Sequence, residues 1–235
     1  MRRRVALFAA LALIALVGVR AAQADRMALW RIVHDQCAPA AANGAQLPPP
    51  CLDVEQRAAA IKDLHGVAQV LVIPTERITG IEDPRLLAAD APEIFAAAWR
   101  ERILLRKYLP DAPQGEGLAL AVNSAEERSQ DQLHVHVDCL KPEVARQLSG
   151  FMADAGWKPM GAALAGHTYF ARAVPDLANP FRLLAELPGA ADGMGEWTLA
   201  AVAQGDHFVL LAGRHGGPGG GHSEDIQDNA CALAG

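Results

Sequence analysis

The chain has no excess of positive charge, no apolar run of bilayer length, no convincing internal repeat and very little lysine. Over 235 residues, 21 Lys and Arg stand against 27 Asp and Glu. Arg2, Arg3, Arg4 and Arg20 all lie in the first 24 residues, where there is no acid, so residues 25–235 carry 17 basic against 27 acidic groups, a net of −10. An acidic body of this kind lacks the electrostatic footprint of a phosphate-backbone binder, and nucleic acid is excluded as the main partner. The lysines are only Lys62, Lys107, Lys141 and Lys158; beside abundant Ala and Arg this reflects genome composition and marks no function. The run Gly216-Gly-Pro-Gly-Gly-Gly221 is not followed by Lys-Ser/Thr, which excludes a phosphate-binding loop and leaves a flexible turn.

The longest apolar stretch runs from Val5 to Val19, broken only by Gly18, and falls short of the roughly 20 residues needed to cross a bilayer. Three arginines precede it and Ala21-Ala-Gln-Ala24 follows, the pattern of a secretory leader. Two outcomes stay open for residues 1–24. Cleavage after Ala24 releases the body, or the leader is retained as a single-pass anchor with its arginines on the cytoplasmic side. Either way the chain is exported. The 211 residues after the leader are enough for a sizeable core.

Export gives the four cysteines, Cys37, Cys51, Cys139 and Cys231, an oxidising compartment, which favours two disulfides over metal or redox chemistry. Three pairings are possible, and free buried thiols are the alternative. A local Cys37 to Cys51 bridge would tie down the Pro/Ala/Asn/Gly-rich loop between them by about 3 kcal/mol in the chain-entropy model. Cys139 to Cys231 then follows by elimination and clamps the C-terminal tail beside the segment described next.

Residues 129–139 read Ser-Gln-Asp-Gln-Leu-His-Val-His-Val-Asp-Cys. Alternation predicts a strand from Gln132 to Cys139 with Leu133, Val135 and Val137 on one face and Gln132, His134 and His136 on the other. A neutral imidazole serves as nucleophile or base near pH 7, and two together can divide attack from proton handling. Two other readings share that pattern. The histidines could be ordinary polar residues on a solvated strand, or a pair of metal ligands; the latter needs further ligands, and His167, His207, His215 and His222 stand in no ligand spacing. Asn123, Ser124 and Ser129, in the connection before the strand, offer amides and hydroxyls to phosphate oxygens, or are simply turn residues.

Around this segment the pattern is mixed. Met27–Gln36 reads as a short helix, Val67–Ile73 as a buried strand stopped by Pro74, and Thr75–Pro92 as loop or broken helix. Pro92–Tyr108 reads as an amphipathic helix, Leu118–Val122 as a strand and Pro142–Met152 as a helix. Trp157–Val174 and Trp197–Ala212 read as strands around a helical Phe181–Leu187, before a glycine-rich turn at Gly213–Gly221.

A strand ending in Val70-Leu-Val-Ile-Pro74, a helix, a strand ending at Asn123 and a strand with alternating histidines together resemble the histidine triad superfamily of nucleotidyl hydrolases and transferases. The chain resembles one member group more closely, the bacterial CDP-diacylglycerol pyrophosphatases. The resemblance rests on Arg31-Ile-Val-His-Asp-Gln-Cys37, Pro50-Cys51, Leu71 to Glu82 with Pro84, Asn123-Ser124, Gln132 to Cys139, Gly166 to Arg172 and Ile226-Gln-Asp-Asn-Ala-Cys231. It departs from the triad pattern of three alternating histidines at the first position, which is Gln132.

The resemblance implies an α+β fold: a HIT-like antiparallel sheet with flanking helices over 67–150, an N-terminal helix and disulfide loop over 25–66, and a C-terminal α+β extension over 151–235 packed on the core. It also implies an enzyme that splits CDP-diacylglycerol into CMP and phosphatidate without cofactor or metal, in or beside the inner membrane with its body in the periplasm. His134 takes the nucleophile's position and His136 the third, with Gln132 and Ser129 holding phosphoryl oxygens and Asn123 supporting their loop. In a shifted frame, His134 first and Asp138 last, His136 would attack instead. A lipid surface is the implied partner besides the substrate; the sequence sets no oligomeric state. The competing readings are a non-catalytic periplasmic module that binds a nucleotide or lipid phosphate, and a metal-dependent hydrolase with His134 and His136 as ligands.

Overall fold

Nine strands organise the protein: β1 (Cys51–Glu55), β2 (Ala58–Lys62), β3 (Val70–Pro74), β4 (Leu118–Val122), β5 (Val135–Cys139), β6 (Lys158–Pro159), β7 (Phe170–Val174), β8 (Trp197–Gln204) and β9 (His207–Arg214). In the computed structural model, which describes residues 25–216 and 219–234, they form one sheet in the order β1-β2-β3-β5-β4-β8-β9-β7-β6. Neighbouring strands are antiparallel. Residues 1–24, where the sequence predicts a leader, lie outside the described residues. Helices α1 (Ala28–Ile32), α2 (Ala38–Ala42), α3 (Ile94–Glu101), α4 (Pro142–Leu148) and α5 (Pro180–Ala185) flank the sheet, giving the α+β class expected.

The pleat sorts side chains into two unlike layers. Val70, Val72, Leu118, Leu120, Val135 and Val137 form one face and bury against α3 and α5, where Phe95 and Phe181 meet edge to face with ring centroids 5.3 Å apart. A fully buried Phe of this sort contributes about 1.5–3 kcal/mol. The other face carries two separate apolar patches. Leu29 and Val33 cover Ile61, Leu71 and Ile73 at one end, and Val144 and Leu148 of α4 cover Ala119, Ala200, Val202 and Leu211 at the other. Between them, in register on adjacent strands, lie Leu71, His136 and Ala121. The histidines thus sit in the gap between two helical covers.

Several elements differ in extent from the sequence expectation. The first helix does not stop at Gln36: α1 passes through a π-helical turn, Val33–Cys37, into α2. The amphipathic helix is α-helical only over α3 and tightens into a 3-10 helix, Arg102–Lys107. The hairpin β1–β2 falls where only helix and loop were expected. The C-terminal part joins through β8, which pairs with β4, so the extension continues the same sheet. Gly213, expected in a turn, lies in β9; a Cβ there would stand 2.6 Å from the Gly221 Cα, so its lack of side chain lets the returning tail cross the strand. Cys37 is bonded to Cys51 and Cys139 to Cys231.

Candidate active site

His136 is on β5, whereas His134 precedes it, because the chain ahead of Val135 bonds to the loop after β3 instead of to a strand. Leu133 N donates to Ile78 O at 2.7 Å. Gln132 is fully buried: its Nε2 donates to the carbonyls of Pro74 (3.1 Å) and Glu76 (2.8 Å), and its Oε1 accepts from Arg77 Nη1 at 3.0 Å. Both amide hydrogens are therefore spent on backbone, behind the site. The Gln132 carbonyl faces the other way and lies 2.7 Å from His134 Nδ1. That contact fixes the tautomer with the proton on Nδ1 and leaves the Nε2 lone pair free.

The two imidazoles are buried side by side, with centroids 4.7 Å apart and planes at 61°. Burial, and then the neighbouring His136 ring, push the pKa of His134 down to about 4, so it is neutral at physiological pH. Glu224 Oε1 lies 2.9 Å from His136 Nδ1 but outside hydrogen-bond geometry, so both ring nitrogens of His136 remain without a hydrogen-bond partner among the described residues. Burial pushes the Glu224 carboxyl up, yet His136 and the donated amide of Asn123 more than offset this and hold it at about 2. Glu224 is ionised throughout the physiological range.

Glu224 was not among the residues the sequence singled out. It rides on the 3-10 turn Ser223–Ile226, which is fastened to the sheet by buried bonds from Ser223 Oγ to Val122 O (2.9 Å) and from Gln227 Nε2 to Ala119 O (2.8 Å) and His136 O (3.1 Å). The Cys139–Cys231 bridge closes the same tail onto the end of β5. The usable signal was an acid seven residues before a cysteine that bonds to the histidine strand.

The loop from Asn123 to Asp131 is braced by Arg128, which makes two 2.7 Å bonds to Glu82. Gly80 makes room for that guanidinium: a Cβ would stand 2.5 Å from Arg128 Nη1. A cavity of about 560 Å³ opens on this side, bringing together His134, His136, Asn123, Ser129 and Glu224. Leu29, Ile32, Ile61, Leu64 and Leu71 form its apolar walls. Ser129 is exposed at the rim, while Ser124 is buried with its hydroxyl donating to Glu127 at 3.0 Å, and neither Ser124 nor Gln132 lines the cavity. Asp53, Glu55 and Glu101 place carboxylate oxygens within 4.8 Å of one another, the one such ligand-type group among the described residues. It lies on the α3 face, across the sheet from the histidines, since Asp53 pairs with Ala60 of that face.

A neutral, oriented imidazole, a second imidazole with its own carboxylate and a polar loop at one wall of a half-apolar cavity suit attack on a phosphorus ester carrying an apolar group. Known proteins resemble this chain to different degrees. A crystal structure of a DUF4931 family protein from Bacillus cereus is 14% identical, with a TM-score of 0.45 over 69% of this chain and 83% of that one. A CDP-diacylglycerol pyrophosphatase from Yersinia pestis is 39% identical over 219 residues, 88% of this chain and 84% of its own. The profile of the CDP-diacylglycerol pyrophosphatase family matches residues 24–235. The chain belongs to the CDP-diacylglycerol pyrophosphatase family.

Proposed function

We propose that this protein hydrolyses the pyrophosphate of CDP-diacylglycerol to CMP and phosphatidate in phospholipid metabolism, by the histidine triad type of chemistry with His134 as nucleophile. The observation that carries the assignment is the 2.7 Å contact between His134 Nδ1 and the Gln132 carbonyl, which aims an unprotonated Nε2 at the cavity. Nε2 attacks the cytidine-side phosphorus, the bond from that phosphorus to the bridging oxygen breaks, and phosphatidate departs. Water then attacks the same phosphorus, releasing CMP and returning His134 to its neutral form. Two easier displacements replace one hard one.

Ser129 and His136 hold the phosphoryl oxygens as charge moves onto them, and Asn123 fixes Glu224, the counter-ion of His136. His136, with Glu224 at Nδ1, is placed to protonate the departing bridging oxygen. Gln132 acts on phosphate only through His134, as a positioning residue, because its own amide is committed to Pro74 and Glu76. The scheme needs no metal. The body works in the periplasm, beside the membrane that holds the lipid; no helix among the described residues is long and apolar enough to cross that membrane.

The test is a CMP-release assay on the pure protein in EDTA, with an alkaline quench to trap the acid-labile phosphoramidate that joins His134 to CMP. Turnover and a trapped intermediate are expected, and His134→Ala should retain less than about 1% of activity while staying folded. Binding without product would support a non-catalytic module, and loss of turnover in EDTA would support His134 and His136 as metal ligands.

A further inference from the structure

The rim of the cavity carries exposed apolar side chains beside the polar Ser129 and His65. In the turn between β2 and β3, Leu64 is 96% exposed and Val67 is 52% exposed. Leu64 is also a wall residue of the cavity, and Leu29, Ile32, Ile61 and Leu71 carry apolar surface from it inward to the histidines. Tyr108, 42% exposed, stands beside the turn, its ring centroid 5.3 Å from Lys62 Nζ. The turn is held in shape: Lys62 Nζ donates to the carbonyls of Asp63 (2.8 Å) and Gly66 (3.1 Å), and Val67 N to Asn229 O (2.9 Å). Leaving one leucine in water forgoes about 2 kcal/mol of burial. A turn fixed with its apolar side chains outward, at the entrance of the reaction cavity, calls for an apolar occupant.

The geometry points to a lipid bilayer as that occupant, with Leu64, Val67 and Tyr108 seated in the interface so that the cavity opens directly onto it. This rests on the CDP-diacylglycerol reading. Two further observations favour a membrane. Ala28, Leu29 and Ile32 of α1 line the same cavity, so the chain arriving from residues 1–24, with their fifteen-residue apolar run, enters at this face. The body's net charge of −10 opposes attraction to anionic lipid, which leaves apolar insertion as the means of contact.

Two measurements on the full chain decide it. The first compares CDP-dioleoylglycerol in phosphatidylcholine vesicles with water-soluble CDP-glycerol. Val67→Asp, which lies outside the cavity, should lower kcat/KM on vesicles by about five- to twentyfold and leave CDP-glycerol turnover within about twofold. Equal loss on both substrates, or loss on neither, overturns the docking face. The second measurement needs no catalysis. The emission added by Leu64→Trp should be quenched by at least about half in vesicles of dibrominated phosphatidylcholine, in about 0.5 M salt as in low salt, while that of Asp206→Trp, on the exposed β8–β9 turn, should not. An unquenched Leu64→Trp rejects the docking face, whereas a quenched Leu64→Trp beside a wild type that splits neither substrate rejects the substrate reading and keeps the surface.

Discussion

Glu224→Gln removes a charge beside His136 while keeping the shape that Asn123 holds. At 2.9 Å, and with an effective dielectric constant near 20, the unscreened attraction between the carboxylate and a protonated His136 is about 6 kcal/mol. Glu224 keeps 31% of its side-chain surface exposed, so solvent and desolvation reduce this toward the 1.5–3 kcal/mol typical of contacts to charged groups. At about 1.4 kcal/mol per decade, kcat for CMP release should fall by about 10- to 100-fold. KM should move by less than about threefold, because the charge matters when the bridging oxygen takes its proton and not when substrate binds. Steady-state assays in detergent micelles read both constants, with circular dichroism and Tm as controls for folding. If His136 is where Glu224 acts, the double variant with His136→Ala should be no slower than His136→Ala alone. A Glu224→Gln enzyme with kcat within about twofold of the wild type would refute the assigned role of this carboxylate.

The remaining expectations concern pH and stability. In the proposed mechanism neutral His134 attacks, and its pKa of about 4 then places the acid limb of kcat near pH 4; a limb at pH 6–7 would count against it as nucleophile. The same depressed value means that folding is favoured above the unfolded histidine's pKa of about 6.5 and loses that contribution as pH falls toward 4. Asp138, fully buried with Oδ2 unpartnered, has its carboxyl pushed up to about 7 by burial. Its raised value gives stability that is present below the unfolded pKa of about 3.8 and is lost as pH rises through 7. Asp138→Asn should therefore raise stability by about 1–3 kcal/mol at pH 8 and by little at pH 4, read by guanidinium unfolding. Cys139→Ala with Cys231→Ala opens a closure spanning 92 residues and should cost about 4–5 kcal/mol in the chain-entropy model. It should also lower kcat, since the tail it frees carries Glu224; full stability with full activity would show that the strap is dispensable.

Alternation made the orientation of the histidine segment legible, but not the length over which it pairs. His134 and His136 face the same cavity, yet β5 begins only at Val135: its pairing with β3 stops at Val72, although β3 runs on to Pro74, and Leu133 N turns to Ile78 O in the loop beyond. A period of two reports direction and is blind to where the pairing stops. The β1–β2 hairpin was illegible for a different reason. Ala58-Ala-Ala-Ile61 has little intrinsic preference for a strand, and its turn at Gln56 and Arg57 lacks the Asn-Gly or Asp-Gly signature. Tertiary packing decides it: Ala59 and Ile61 bury under the N-terminal helix while Ala58 and Ala60 bury on the opposite face against the α3 layer, a sandwich that favours small side chains. Glu224 was out of reach of local reasoning, since it meets His136 from 88 residues away in sequence.

That long-range meeting also explains how two chemically identical rings, two residues apart, come to differ. His134 receives its proton direction from the backbone of Gln132, and its neutrality from burial and from the ring beside it. His136 has no backbone carbonyl bond; what it has is a carboxylate delivered by the C-terminal turn. Exchanging the two residue positions would not exchange the roles, because neither environment belongs to the imidazole. The C-terminal extension thus helps to build the cavity that holds the two histidines. Through β8 it flanks β4, and through Ser223, Gln227 and Cys231 it fixes Glu224, the nearer of the two carboxylates that face His136, with Asp63 Oδ2 at 4.0 Å. A fragment ending near residue 150 would keep both histidines, the Gln132 carbonyl and Asp63, and lose Glu224, the carboxylate that lies 2.9 Å from His136.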